Sequence, residues 1–293
     1  MTITMRPMIR RSALTLLPAL ALAVGLTACG GGVSKSAYVK KADGACGPGN
    51  ATVGATATPS NLPELAAAAG KIATTVDDQS ATLRKLSAPG SDKAVVAGVV
   101  GALADVGGPA HALQAAAGKT DDAVTARAVT DLKAKVDAAA ATAQSYGLTA
   151  CAKGLQPTTQ AVFDGGKSIM KAAFVARADT LCTAANKKAA ALANPTSLAT
   201  TVKFLNAYIP IEDKLFTDLK ALVKPPGDEA TVSDMLAAQD LVIAKDKEAQ
   251  AAAQKGNTNL FFSLSDEEST LVTASNAKFD AYGLRSCGTL SNF

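Results

Sequence analysis

Tryptophan is absent from this chain of 293 residues, histidine occurs once, at His111, and aromatic residues make up only 4% of the composition. A Ser-His-Asp or Cys-His arrangement would therefore have to use His111. The patterns G-x-S-x-G, H-E-x-x-H and the P-loop do not occur either. These absences argue against the common nucleophilic, metalloprotease and nucleotide-dependent mechanisms. His111 follows a Gly-Gly-Pro break, and we interpret it as an exposed residue on a helix turn.

Outside its first 28 residues, the chain has almost no excess of positive charge. The formal net charge is +4, but Arg6, Arg10 and Arg11 lie in the first 28 residues, which contain no acidic residue. Without those three, 26 basic residues stand against 25 acidic ones, which is a net charge of +1. No run of Lys and Arg remains to bind a phosphate backbone, so nucleic acid is not an expected partner.

Four of the five cysteines form a repeated pattern. Cys46 and Cys151 are 105 residues apart, as are Cys182 and Cys287, and an offset of 136 residues carries the first pair onto the second. Three blocks of matching sequence keep this register without a gap. They are Val39, Ala42, Asp43 and Asn50 with Val175, Ala178, Asp179 and Asn186; Leu83, Leu86, Pro89 and Asp92 with Leu219, Leu222, Pro225 and Asp228; and Tyr146-Gly147-Leu148 with Tyr282-Gly283-Leu284. The sequence therefore predicts an internal duplication.

The N-terminal segment accounts for the fifth cysteine. An apolar run from Ala13 to Leu26 follows the arginines and ends in Leu26-Thr27-Ala28-Cys29. A basic start, a short apolar run and small residues are typical of a secretory signal peptide, and the run is too short for a spanning helix. The last four residues resemble the lipobox of bacterial lipoproteins. The resemblance implies cleavage before Cys29, a palmitate-containing diacylglycerol on its sulfur, and anchoring at the extracytoplasmic face of the cell membrane. The alternative is an ordinary cleaved signal and a soluble secreted protein.

With Cys29 used as an anchor, the other four cysteines form an even set. An even set in an exported chain predicts disulfides, of which four cysteines allow three pairings. Duplication favours pairing within each repeat, Cys46 with Cys151 and Cys182 with Cys287. Metal binding would need clustered ligands such as paired C-x-x-C, which the chain lacks.

The composition predicts an all-α fold, because Ala, Leu, Lys, Asp and Gln are abundant and alternating β-branched stretches are few. We expect two tandem, internally duplicated four-helix-bundle-like domains, each closed by one disulfide. The predicted organisation is a signal peptide (1–28), a lipidated cysteine with a tether (29–35), repeat 1 (36–151), a linker (152–166) and repeat 2 (167–293).

Helix boundaries follow from glycines, prolines and capping residues. In repeat 1 we expect a helix from about residue 36 to 46, ended by Gly47-Pro48-Gly49. A second helix should open after Asn61, with Pro63 in its first turn, and run to about Leu86. A third, capped by Ser91, should be divided at Gly107-Gly108-Pro109. A fourth should start at Thr120 and end at Tyr146, with Gly147 in a Schellman cap. In repeat 2 the expected helices are 167–192, 197–222, 228–254 and 258–282.

Phenylalanine is unequally distributed, since repeat 1 contains none and repeat 2 has Phe174, Phe204, Phe216, Phe261, Phe262 and Phe279. We interpret these as core residues of a wider bundle. The alternative is that one repeat binds an apolar ligand or partner.

Two groups of carboxylates are candidates for catalysis. Asp43 and Asp179 recur before the first cysteine of each repeat and could cap, pair locally or lie in a cleft. Asp266, Glu267 and Glu268 form an acidic run, which we interpret as a solvated helix face. Glycoside hydrolysis needs two facing carboxyls, and nothing in the sequence places them together.

The sequence thus predicts a non-catalytic binding or scaffolding module of the cell envelope, attached to the membrane through Cys29. Its partner would be an envelope protein, the wall or a lipid, and no metal or cofactor is expected. The alternative is a carrier of a small apolar ligand, such as a lipid or a porphyrin, with Tyr38, Tyr146, Tyr282 or His111 as possible iron ligands. A carboxylate-based hydrolase is the least favoured hypothesis.

Overall fold

The computed structural model describes residues 32–289 and contains no strand in that range. The predicted signal peptide and Cys29 lie outside the described residues. Within residues 32–289, ten helices follow one another, with a single 3₁₀ turn at Gly90–Asp92. They are α1 (Lys35–Gly54), α2 (Leu62–Arg84), α3 (Lys93–Ala104), α4 (Gly107–Gly118), α5 (Asp122–Tyr146), α6 (Thr149–Gly154), α7 (Gln156–Ala189), α8 (Leu198–Ala221), α9 (Glu229–Gln254) and α10 (Thr258–Tyr282). The all-α prediction is confirmed.

The helix ends mostly use the predicted local chemistry. Asn61, Asp121 and Ser197 accept hydrogen bonds from backbone N–H groups at the starts of α2, α5 and α8, which satisfies donors that have no partner within the helix. Ser91 does not cap α3, whose N-terminal residue is preceded by the 3₁₀ turn. Helices α5 and α10 both end in Schellman caps, with Gly147 at φ 101° and Gly283 at φ 104°.

The expected break at Gly47-Pro48-Gly49 is wrong, because α1 continues through Pro48 to Gly54. Proline removes one N–H and so leaves the carbonyl one turn earlier, at Gly44, without its helical donor. Gly44 and Pro48 are both exposed, so water can bind that carbonyl. The last turn of α1 buries Val53 completely, and this packing offsets the lost hydrogen bond.

The expected division at Gly107-Gly108-Pro109 is present, since α3 ends at Ala104 and α4 begins at Gly107. The stretch Gly90–Gly118 is long and apolar enough to cross a membrane by length and composition alone. Val99, Leu103 and Leu113 within it are buried in the core of the helical bundle.

Helix α7 joins the two halves of the chain. Residues 152–166, the predicted linker, are helical except at Leu155 and include the first part of α7. Val162 of α7 packs into the core formed by α1–α6, whereas Phe174 of the same helix belongs to the core formed with α8–α10. From Val33 onward the described residues form one compact unit.

The two cores differ as the phenylalanine distribution predicts. The first is filled by Tyr38 and many aliphatic and alanine side chains, while Phe174, Phe216 and Phe279 are buried in the second. Phe204 is buried in a smaller cluster with Tyr208, and Phe262 is 60% exposed. Most of the phenylalanines therefore fill the interior.

Contacts that close each half recur at the 136-residue offset. Cys46 is bonded to Cys151 and Cys182 to Cys287, which are the expected pairings. Beside the first bond, the Asn50 side chain donates to the carbonyl of Ala150, at 2.8 Å. At the second, Asn186 donates to the carbonyl of Ser286, at 2.9 Å. Each bond thus ties the first helix of its half to the residues after the Schellman cap.

Candidate functional site

Three carboxyl side chains from three helices lie inside the second half. Glu212 of α8 and Asp246 of α9 are each 3% exposed, and Glu268 of α10 is 7% exposed. Glu268 shares a helical stripe with Leu264, Val272 and Phe279, which are also buried. Glu212 is similarly placed between Tyr208 and Leu215 on the buried stripe of α8. We call Glu212, Asp246 and Glu268 the carboxyl cluster.

Hydrogen bonds within the carboxyl cluster depend on protonation. The Tyr208 hydroxyl donates to Glu212 Oε1 at 2.8 Å. With both carboxyls ionised, Glu212 Oε2 and Asp246 Oδ2 are buried acceptors without a donor. A proton on either group supplies the missing donor, and the Glu212 and Asp246 carboxyls then form a hydrogen bond. The pair is therefore best satisfied when it holds a proton.

Burial also favours the protonated state of all three groups. Removal from water raises the pKa of Glu212 well above its ordinary value, and the neighbouring Glu268 and Asp213 charges add to this rise. Burial raises the pKa of Asp246 in the same way, with a further contribution from Glu212. For Glu268, burial and then the Asp246 charge raise the pKa to about 7.

Nearby lysines are engaged with other carboxylates. Lys245 of α9 pairs with Glu248 at 2.8 Å and with Glu267 at 3.1 Å. Lys247 pairs with Asp213 at 2.8 Å. Burial is the main cause of the three raised pKa values, and the charges that act on the cluster are negative, so they raise these values further.

The first half has an apolar group at every equivalent position. At the 136-residue offset, Glu212 corresponds to Val76, Asp246 to Ala110 and Glu268 to Leu132, while Tyr208 corresponds to Ile72. All four of these side chains are 0% exposed. The helical arrangement can therefore be packed without carboxyls, and their presence in the second half carries a desolvation cost that an apolar core avoids.

A second polar contact of the same core lies nearer to the start of α9 and the end of α10. The Ser275 hydroxyl donates to Gln239 Oε1 at 2.7 Å, and both residues are buried. Their equivalents in the first half are Ala139 and Leu103, which are apolar and buried. Polar groups thus replace apolar ones along two layers of the second core.

The sequence interpretation of the acidic run 266–268 was wrong for one residue. Asp266 and Glu267 are exposed as expected, but Glu268 points into the core. Glu212 and Asp246 were not singled out as candidates from the sequence. The signal that could have found them is the alignment of the two repeats, in which these acidic residues face Val76 and Ala110.

The recurring aspartates serve as caps. Asp43 Oδ1 accepts from the backbone N–H of Ala150 at 2.9 Å, and Asp179 Oδ1 accepts from that of Ser286 at 3.0 Å. Each joins the first helix of its half to the residues that precede the second cysteine. This is capping, one of the roles that the sequence allows.

The tyrosines considered as iron ligands have other contacts. Tyr146 donates to Asp92 Oδ2 at 2.9 Å, and Tyr282 donates to Asp228 Oδ2 at 3.1 Å. Tyr38 is buried and meets the Tyr146 ring edge-on, with centroids 6.1 Å apart. The hydroxyl groups of both tyrosines in the Tyr-Gly-Leu motifs are therefore used in hydrogen bonds between helical segments of the bundle.

His111 is exposed, as expected, and its Nε2 atom lies 3.0 Å from Asp77 Oδ2. The equivalent pair in the second half is Lys247 with Asp213. A base and a carboxylate at the same two positions favour a surface ion pair rather than a catalytic dyad. Within residues 32–289, no three His, Cys, Asp or Glu side chains are arranged to hold a metal ion.

Besides the carboxyl cluster, the described residues form several surface grooves, of which two are similar in volume. One, of about 440 Å³, lies between α7, α9 and α10 and is lined in part by Lys171, Met235 and Tyr282. The other, of about 430 Å³, lies between α2 and α3, with Leu83 and Val96 in its walls. Both are open to solvent. No family model matches the chain, and searches of curated proteins and of solved structures gave no match.

Proposed function

We propose that the chain is a lipid-anchored lipoprotein of the cell envelope, which acts outside the cytoplasm as a non-catalytic binding or scaffolding module. The observation that carries the proposal is the pair of disulfides, Cys46–Cys151 and Cys182–Cys287. Disulfides persist in oxidising compartments, and the lipobox-like residues ending at Cys29 supply a route to one of them. The partner would be an envelope protein, the wall or a lipid.

The same proposal includes two duplicated, four-helix-bundle-like domains. Support comes from contacts that recur at one offset, among them the disulfides, the asparagine and aspartate caps and the Tyr-to-Asp hydrogen bonds. Each of these contacts lies within one half. Helix α7 would then connect the domains as a continuous rod rather than as a flexible linker.

Catalysis is disfavoured by the position of the carboxyl cluster. A hydrolase that uses paired carboxylates needs them on either side of a cleft that substrate can enter. Glu212, Asp246 and Glu268 are at most 7% exposed and lie between packed helices. Their environment suits a structural or conformational role.

A carrier of a small apolar ligand remains the second candidate, because Met235, Ala281 and Tyr282 give the groove between α7, α9 and α10 an apolar part. Solvent extraction of protein purified gently from its native membrane, followed by mass spectrometry, distinguishes the two. A stoichiometric lipid or pigment beyond the anchor supports the carrier, and a clean extract from independent preparations supports the scaffold.

The anchor is tested by Cys29→Ala. The variant cannot receive a lipid on sulfur, so we expect it in the soluble fraction while the unchanged protein sediments with membranes. Mass spectrometry of the mature N-terminus should show a diacylglycerol only in the unchanged protein. A variant that stays with the membrane fraction contradicts the lipobox interpretation.

A further inference from the structure

The carboxyl cluster joins the three helices α8, α9 and α10 through groups that change charge. Each helix contributes one carboxyl, and two of the carboxyl oxygens have a donor only when a proton is bound. In the first half, the same positions are occupied by the buried side chains of Val76, Ala110 and Leu132. The packing of apolar side chains does not depend on pH, whereas a hydrogen bond that needs a bound proton does.

We propose that the carboxyl cluster is a proton-dependent switch, which holds α8, α9 and α10 together when protonated and loosens them when ionised, while the first half stays closed. The feature that would change is the packing of three buried acidic side chains against one another. Loss of their protons places negative charges side by side in a site from which water is excluded.

The groups facing the cluster do not relieve this repulsion. Helix α8 contributes the Tyr208 hydroxyl, which supplies one hydrogen bond, and the Asp213 charge. From α9 and α10, Lys245 is paired with Glu248 and Glu267, and Lys247 with Asp213. Helix α7 contributes the apolar groups Leu181, Ala185 and Ala189. Its Lys188 lines a surface groove between α7 and α8, together with Lys214 and Asp218.

The fold also determines which end can open. Cys287, just after α10, is bonded to Cys182 of α7, and the Tyr282 hydroxyl is bound to Asp228 at the start of α9. The opposite end of α10 follows the turn at Gly256 and carries the exposed Leu260 and Phe262. Loosening therefore begins at the α9–α10 turn, near the cluster, and stops at the disulfide.

The direction of the pH effect follows from the raised pKa values. In the unfolded chain these carboxyls titrate near pH 4, and in the folded chain Glu268 titrates at about 7. The folded state therefore binds more protons between these values, so the cluster's contribution to stability is fully present below about pH 4 and is lost as the pH rises through the folded pKa. Carboxylates with a lowered pKa, such as Asp228, act oppositely and lose their contribution only as the pH falls towards and below the ordinary aspartate value.

The test is hydrogen exchange of the full mature chain at pH 5.0, 6.5 and 8.0, corrected for the intrinsic pH dependence of exchange. We expect peptides from α8, α9 and α10 to lose at least tenfold in protection from pH 5.0 to 8.0, and peptides from α2 and α5 to change little. Equal protection of α8–α10 at all three values overturns the proposal.

Two variants assign the effect to the cluster. Glu212→Val with Asp246→Ala and Glu268→Leu copies the first half, and its protection should be independent of pH. Glu268→Gln removes one charge with little change in shape and should weaken the pH dependence even if the triple variant fails to fold. Asp266→Asn, at an exposed neighbouring position, is the control and should behave like the unchanged chain. An unaltered pH dependence in Glu268→Gln contradicts the proposal.

Discussion

Gly165 and Gly166 of α7 allow this helix to approach the first half closely. A Cβ on Gly165 would lie 2.5 Å from the carbonyl oxygen of Pro59, and one on Gly166 would lie 2.7 Å from Cγ2 of Val129. Neither the backbone of Pro59 nor the stiff Val129 side chain can move without cost. The two glycines, expected to belong to a linker, thus lie at a packed helix contact.

We expect Gly165→Ala to lower the free energy of unfolding by about 1–3 kcal/mol, because the new methyl group overpacks the contact. Gly98→Ala on α3 is the matched control, since a Cβ there meets nothing within 4 Å. The control should stabilise the chain by about 0.5–1 kcal/mol through helix propensity. Urea unfolding of both variants measures the difference, and a change of the same sign in both would refute the packing argument.

Tyr282→Phe tests the hydrogen bond to Asp228. We expect a loss of about 0.5–1.5 kcal/mol, since Asp228 retains its ion pair with Lys167 at 2.8 Å. Tyr146→Phe in the first half removes the equivalent bond to Asp92 and should cost a similar amount. Thermal unfolding at pH 7 compares them, and two variants as stable as the parent chain would show that the hydroxyls contribute nothing.

The residue that sequence reasoning misplaced most clearly is Glu268. Its neighbours in sequence are acidic, and acidic runs usually face solvent. Helical geometry instead places Asp266 and Glu267 on the exposed face of α10. Glu268 lies on the buried stripe that includes Leu264 and Val272. Charge alone could not decide this, because the cost of burial depends on partners that α8 and α9 contribute.

At the scale of helices, the boundaries in the second half were predicted closely. Helices α8, α9 and α10 begin and end within one residue of the expected positions, because capping residues and glycines mark them. The errors lie in α1 and α7, where glycine and proline stand inside helices. Packing of Val53 and Val162 overrides those local signals, and such long-range contacts are not visible in a local pattern.

Each disulfide should stabilise its own half. Replacing Cys182 and Cys287 by serine removes a constraint on the unfolded chain, and we expect a loss of about 2–5 kcal/mol. The Cys46→Ser, Cys151→Ser variant is the matched comparison, because both bonds span 105 residues. Hydrogen exchange should show the loss mainly in the half that contains the substitution. A uniform loss over both halves would contradict local stabilisation.

At the scale of the whole molecule, the helical junction between the halves should resist proteolysis. Lys153 and Lys167 lie in helices within or beside the predicted linker, whereas Lys119 and Lys255 are exposed residues of turns. Trypsin needs an extended segment, so the first cuts in the folded protein are expected at Lys119 and Lys255. Mass spectrometry of the early fragments identifies them, and early cleavage at Lys153 or Lys167 would favour a flexible linker.

The two disulfides also determine how the protein would respond to mechanical load. When the chain is pulled from its ends, force passes directly from Cys46 to Cys151 and from Cys182 to Cys287. The loop between each pair, with a contour length of about 350 Å, carries no tension and cannot be drawn out. Only the segments before Cys46, between Cys151 and Cys182, and after Cys287 can extend. Tension on the chain would therefore lengthen the part of α7 that precedes Cys182 and leave the interior of each loop unstretched.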